Sequence, residues 1–150
     1  MSLNSPALTF VTFIMATLKL EIVTPEEKIY SEDVEMVTLP GSEGELGVYP
    51  KHVPLLTTLL PGELRVLKNG RETAMAIGEG FVEIKADAVS VLTDMALESE
   101  KIDIAAAEAA VERAKAAMKE DHAAEEVAAI QASLQKALAQ LHVKRRRHHG

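Results

Sequence analysis

Leu39-Pro40-Gly41-Ser42-Glu43-Gly44-Glu45-Leu46-Gly47-Val48-Tyr49-Pro50-Lys51-His52-Val53-Pro54-Leu55-Leu56 is a turn-rich run lodged between strand-like segments. Three glycines admit backbone angles that side chains forbid, and three prolines fix others and remove amide donors. The run therefore reads as a loop of one preferred shape, without helix or strand periodicity. Exposed in a turn, Glu43 and Glu45 suit a charged contact surface, or plain solubility, better than an acid/base couple.

Outward from this run, residues 17–94 follow strand grammar. Leu18, Leu20 and Ile22 alternate with Lys19 and Glu21, and Leu64 and Val66 alternate with Arg65 and Leu67. Asn69-Gly70 lies between two such segments and predicts a two-residue hairpin, because both central residues of a type I′ turn need positive φ. Phe81–Lys85 and Val89–Thr93 flank Ala86-Asp87 as a second hairpin. Many short strands spaced by turns predict an all-β sandwich or barrel.

Near Glu98 the pattern changes. Between Asp103 and Val143 there is no glycine or proline, and alanine dominates. Ile104, Ala107, Val111, Ala114 and Met118 form one apolar stripe, and Val127, Ile130, Leu134, Ala137 and Leu141 form another. On one continuous helix the stripes would lie about 200° apart. A break near Lys119-Glu120-Asp121-His122, with Asp121 as N-cap, lets them face each other as an antiparallel hairpin, whereas an unbroken rod would offer each stripe to a different partner. Seams rich in alanine bury little apolar area, so this hairpin is expected to be weakly held and able to open. The predicted class is α+β, with a sandwich over residues 16–99 and a helical hairpin over residues 100–143.

Two end segments complete the chain. Residues 1–15 are apolar but carry no lysine or arginine, which fits neither a secretory leader nor a membrane span of ~20 residues. They read as a disordered extension or a mis-assigned start, with Met15-Ala16 as the better beginning. Residues 144–150 form a basic tail, Lys144-Arg145-Arg146-Arg147 followed by His148-His149-Gly150. Its simplest reading is a solvated, disordered segment, and its functional reading is a tether to an acidic protein surface.

Composition narrows the function. Residues 1–100 carry 7 basic and 16 acidic side chains, and residues 101–150 carry 9 basic and 7 acidic. An acidic body argues against a nucleic-acid partner, which needs a basic face. With 0 cysteines, thiolate metal sites and a cysteine nucleophile are excluded together. Gly41–Gly47 lacks the Lys-Ser/Thr of a phosphate loop, and its glutamates would repel phosphate. The histidines show no metal-ligand spacing on an ordered element, so no metal site is assigned. No serine stands in an acyl-transfer motif. The chain does not read as an enzyme.

The order and spacing of the central run, Pro50-x-His52-x-Pro54-Leu55-Leu56-Thr57, Pro61-Gly62, Gly80-Phe81-Val82-Glu83-Ile84 and Val89-Ser90-Val91-Leu92-Thr93-Asp94 resemble the epsilon subunit family of the rotary F-type ATP synthase. Ile102-Asp103 and Gln140-Leu141-x-Val143 resemble its C-terminal hairpin, and the likeness spans roughly residues 16–143. The resemblance implies a central-stalk subunit that couples c-ring rotation to the catalytic head, on the cytoplasmic face of the bacterial inner membrane and without direct membrane insertion. Its implied partners are the gamma subunit, the c ring and, when the arm extends, the catalytic beta subunits. Glu43, Glu45 and His52 are the implied c-ring-facing residues. Lys136, Lys144, Arg145, Arg146 and Arg147 are candidates for basic contacts that restrain ATP hydrolysis. Some family members bind ATP through an Ile/Leu-Asp-x-x-Arg-Ala motif. Here Ile102, Asp103 and Arg113 remain, but Ala106 replaces the arginine, and Lys136 and Gln140 fall where further arginines belong. Weak or absent ATP binding, and no resident cofactor, are the expectation. The competing reading is a free-standing sandwich adaptor that binds an unrelated partner through its glycine-rich loop.

Overall fold

The structure, a computed structural model, describes residues 16–149; the extension expected over residues 1–15 lies outside the described residues. Ten strands come first: β1 Leu18–Val23, β2 Lys28–Val34, β3 Met36–Gly41, β4 Gly44–Val48, β5 Leu55–Leu59, β6 Gly62–Lys68, β7 Arg71–Ile77, β8 Gly80–Ile84, β9 Ala88–Thr93 and β10 Ala96–Glu98. A 3₁₀ turn at Ser99–Lys101 leads to helices α1, Ile104–Ala117, and α2, Ala124–His149.

The strands form one sheet in the order β10-β7-β6-β3-β5-β8-β9-β1-β2, with β4 added to β3. It folds over at β3, whose first half pairs with β6 (Val37 opposite Val66) and whose last residue pairs with β5 (Gly41 opposite Leu59). The halves enclose a core without tryptophan, built from inward residues such as Leu20, Ile22, Leu39, Leu64, Ile77 and Val91. Every second residue of β1 and β9 is buried, as alternation in the sequence predicts, and in β6 Leu64 and Val66 follow the same rule while Glu63 is buried besides.

Both predicted hairpins are present. Asn69 and Gly70 take φ of 53° and 73° between Lys68 and Arg71, so the pair supplies the left-handed angles the turn demands. Across Ala86-Asp87, Lys85 N–H donates to the Ala88 carbonyl at 2.8 Å.

The central run differs from the single shaped loop read in the sequence. Residues 39–48 belong to a β3–β4 hairpin in which Leu39 and Val48 point into the core. Turn chemistry is confined to Ser42-Glu43, closed by Gly44 at φ 126°. Core burial at alternate positions outweighs the weak strand propensity of Pro40, Gly41, Gly44 and Gly47. A true loop remains only over residues 49–54.

The helices turn back on one another as predicted, with Ala107 and Val111 of α1 packed against Ala137 and Leu141 of α2. The break is at residues 118–123, but Asp121 is not the N-cap. Ala123 O accepts the first α2 bond from Val127 N at 3.0 Å, and the polar clamp at the turn is His122. A second face of α2, carrying Ala139, Gln140 and Val143, lies on the outside of β6 and β7. Ala74 and Ala76 therefore pack under α2 while Met75 and Ile77 fill the core, which explains the continuous apolar run Ala74–Ile77. The basic tail is also different from a disordered segment, since α2 stays helical through His149. Carboxylates beneath and beside it pair with its cations and offset their mutual repulsion.

Candidate functional site

β6 and α2 build the most densely charged part of the molecule. Leu64 and Val66 face the core, so the alternation sends Glu63 and Arg65 outward together, onto the face that α2 covers. The Glu63 side chain keeps only 6% of its exposure. One carboxylate oxygen accepts from Arg65 at 3.0 Å and the other from Arg146 Nε at 2.8 Å. Burial alone would push its carboxyl upward, but the bonds from Arg146 and Arg65 outweigh burial and hold it below the usual carboxylate range.

Arg65 also reaches Glu45 on β4, with both terminal guanidinium nitrogens at 3.1 Å from its carboxylate. Glu45 first and Glu63 second raise the Arg65 pKa further, so the guanidinium is permanently charged. Arg147 donates to Glu72 at 2.8 Å, and Arg146 lies 3.7 Å from the same carboxylate. The cluster thus sets the carboxylates of Glu45, Glu63 and Glu72 against the guanidiniums of Arg65, Arg146 and Arg147 in equal number.

The other basic candidates of the arm are engaged too. Lys136 pairs with Asp94 at 3.3 Å, a contact made possible by Gly78, where a Cβ would collide with the Asp94 carboxylate and crowd the Lys136 chain. Lys144 donates to the Ser99 carbonyl at 2.8 Å, and Arg145 reaches Glu108 on α1 at 3.3 Å. The five basic residues singled out from the sequence therefore all face acceptors on the folded chain.

Glu43, Glu45 and His52 do not converge. Glu43 occupies the β3–β4 turn, whereas His52 lies in the loop beyond the opposite end of β4, a strand some 13 Å long at ~3.3 Å per residue. His52 Nδ1–H donates to the Val53 carbonyl at 2.6 Å. Glu45 lies on β4 and the other two flank its ends; among the described strands β4 pairs only with β3, so the three mark the length of a sheet margin. Tyr49 and Val53, exposed at 60% and 75%, give its His52 end an apolar tip.

A second apolar surface lies on the outside of β5, β8 and β9. Thr58, Phe81 and Leu92 are in register across these strands, and Leu56 sits diagonally from Phe81. Phe81 and Leu92 are more than half exposed. Leucine and phenylalanine side chains thus lie side by side on an exposed outer sheet face.

Ile102, Asp103 and Arg113 have separate placements. Ile102 is buried beneath α2, Asp103 caps α1 by accepting from Ala106 N at 3.1 Å, and Arg113 is exposed. Gln140 reaches the Met95 sulfur. No group of three or more His, Cys, Asp or Glu able to hold a metal occurs among the described residues. No described helix is long and apolar enough to cross a membrane.

The sequence did not single out Glu63, Arg65 or His122 for these roles. Glu63 and Arg65 looked like the solvated positions of an alternating strand, because their cover arrives some 80 residues later. Their one signal was opposite charges two apart on a strand preceding an alanine-rich one.

Known proteins share this architecture. The family described as "ATP synthase, Delta/Epsilon chain, beta-sandwich domain" matches residues 17–99, and "ATP synthase, Delta/Epsilon chain, long alpha-helix domain" matches residues 100–145. The ATP synthase epsilon chain of Laribacter hongkongensis is 43% identical over 129 residues, covering 85% of this chain and 92% of its own. That of Dehalococcoides mccartyi is 44% identical over 137 residues, covering 89% and 98%. A chain of the Euglena gracilis mitochondrial ATP synthase, solved as OSCP/F1/c-ring in rotational state 1, superposes with a TM-score of 0.72 at 27% identity, covering 85% of this chain and 80% of that one.

Proposed function

The chain belongs to the delta/epsilon family of rotary ATP synthase subunits, and from that membership we propose that its sandwich is the docking and coupling part and its helical hairpin a mobile arm that restrains ATP hydrolysis. The carrying observation is the arm's attachment. α2 lies on the sandwich through small residues and through cations that the sandwich's carboxylates satisfy, so the arm can leave intact and present those cations elsewhere. The adaptor reading is not favoured, because the relatives are ATP synthase subunits along nearly their whole length.

The proposed division falls near Ser99. The face bearing Leu56, Phe81 and Leu92 docks on the gamma subunit. The β4 margin, with Glu43, Glu45, His52 and the apolar tip, meets the polar loops of the c ring. In the extended arm Lys136, Lys144, Arg145, Arg146 and Arg147 meet acidic residues of a beta subunit. The subunit itself is non-catalytic and joins the membrane from the cytoplasmic face through these partners. ATP binding at Ile102, Asp103 and Arg113 is weak or absent: Asp103 is committed to a helix cap, and Lys136 and Gln140 are turned to the sandwich.

The test is ATP hydrolysis by a matched F1 core lacking its epsilon subunit, titrated with three versions of the chain. The full chain should inhibit saturably. A chain ending at Ser99 should bind without inhibiting, and F81D should bind at least about tenfold more weakly. Binding by F81D at full strength would remove the gamma face from the proposal, and no binding by any version would overturn the whole reading.

A further inference from the structure

We propose that Glu63 is the latch of the folded arm, and that Arg65 ties this latch to Glu45 on the β4 margin, so that neutralising Glu45 loosens the arm. The inference rests on the mobile-arm reading above and adds the residues that set its equilibrium.

Glu63 is suited to this role because it serves both sides of the joint. One carboxylate oxygen binds Arg65 of the sandwich and the other binds Arg146 of α2, in a position almost closed to water. A charge-assisted pair at such a site contributes more than an exposed one and is less screened by salt. The pairs Lys136–Asp94 and Arg145–Glu108 are more exposed, and the second joins helix to helix and not arm to sandwich.

The coupling follows from the charge balance. With the arm docked, the charges of Glu45, Glu63 and Glu72 balance those of Arg65, Arg146 and Arg147. A cationic group of a partner that takes Glu45 away leaves one positive charge in excess in the docked cluster. Arg65, freed from Glu45, then turns its fork fully onto Glu63, where a bidentate pair displaces Arg146. Contact at the β4 margin is thereby transmitted to the far helix through two side chains in direct contact.

The experiment is amide hydrogen exchange along α2 in the full chain, comparing the native protein with E63Q, R146Q, E63Q/R146Q and E45Q, alongside inhibition of the matched F1 core. E63Q should speed exchange of the sandwich-facing amides of α2 about tenfold, R146Q should do the same, and the double variant should add little to either. E45Q should act in the same direction with a smaller effect. Raising salt from about 0.05 M to about 0.5 M should leave the difference in arm protection between the native chain and E63Q largely intact, because the Glu63 carboxylate is nearly closed to water. Unchanged α2 exchange in E63Q, or fully additive single effects, overturns the latch; unchanged exchange in E45Q overturns the coupling. Unchanged sandwich amides in the same spectra show that each variant is folded. The two readings fail separately: a released arm that leaves F1 activity untouched refutes the regulatory role and keeps the latch, and inhibition lost on truncation with E63Q still docked does the reverse.

Discussion

At the scale of single residues, two kinds of constraint shape this chain. One is backbone chemistry, as at Gly70, whose φ of 73° is reached without any atom near the position a Cβ would take. Gly70→Ala therefore meets no neighbouring atom but is strained by its own left-handed backbone, where a Cβ crowds the adjacent carbonyl, and should cost about 1–2 kcal/mol, read as a lower denaturation midpoint with an unchanged m-value. A loss below about 0.3 kcal/mol would show that the turn relaxes into another type. This constraint was legible because Asn-Gly between alternating segments has few other uses. The other kind is electrostatic, and Glu63 shows why it was not legible. Nothing local separates its buried carboxylate from the exposed Glu83, since the difference lies wholly in the helix above it.

At the scale of elements, the hairpin turn carries its own titratable clamp. His122 Nε2–H donates to the carbonyl of Ala117 at 2.6 Å, in the last turn of α1, and Nδ1–H donates to Glu126 of α2 at 3.1 Å. Both donors exist together only in the imidazolium, so the Ala117 carbonyl first and Glu126 second raise the His122 pKa; Glu120 at 3.9 Å adds to this. A raised folded-state pKa means that the clamp is complete below the unfolded value near 6.5 and is lost as pH climbs through the higher folded value. A ring-proton titration should give a midpoint above the ordinary histidine value, and α1's last turn should fray across the same range. H122A should abolish that pH dependence, and a midpoint at or below the ordinary value would exclude the clamp. The helices themselves were legible from their stripes, whose phase left a broken hairpin and an unbroken rod as the two outcomes. The residue that secures the break was not, because the expected cap, Asp121, follows propensity whereas the observed clamp depends on the angle at which two helices meet.

At the scale of the whole molecule, the two parts meet through a layer that no periodicity announces. The sandwich was legible from alternation and the hairpin from its stripes, but α2 has a second apolar edge, Ala139 and Val143, outside the stripe that packs on α1. Docking along that edge also turns Lys136 and Gln140 to Asp94 and Met95. Calorimetry with ATP and the full chain should accordingly show no micromolar site; a micromolar constant would mean that the arm reorganises around the nucleotide. The seam itself has a further consequence. Under α2 the strand β7 offers Ala74 and Ala76, the smallest side chains that still count as apolar, beside Ile102, Met95 and Leu97, and the seam is fringed by Glu63, Arg65 and Glu72. A larger pair of residues there would grip the helix harder, but each departure of the helix would then uncover a sticky patch and invite self-association. With alanines flanked by charge, the uncovered strand remains wettable, which keeps small the apolar area laid bare when the helix leaves.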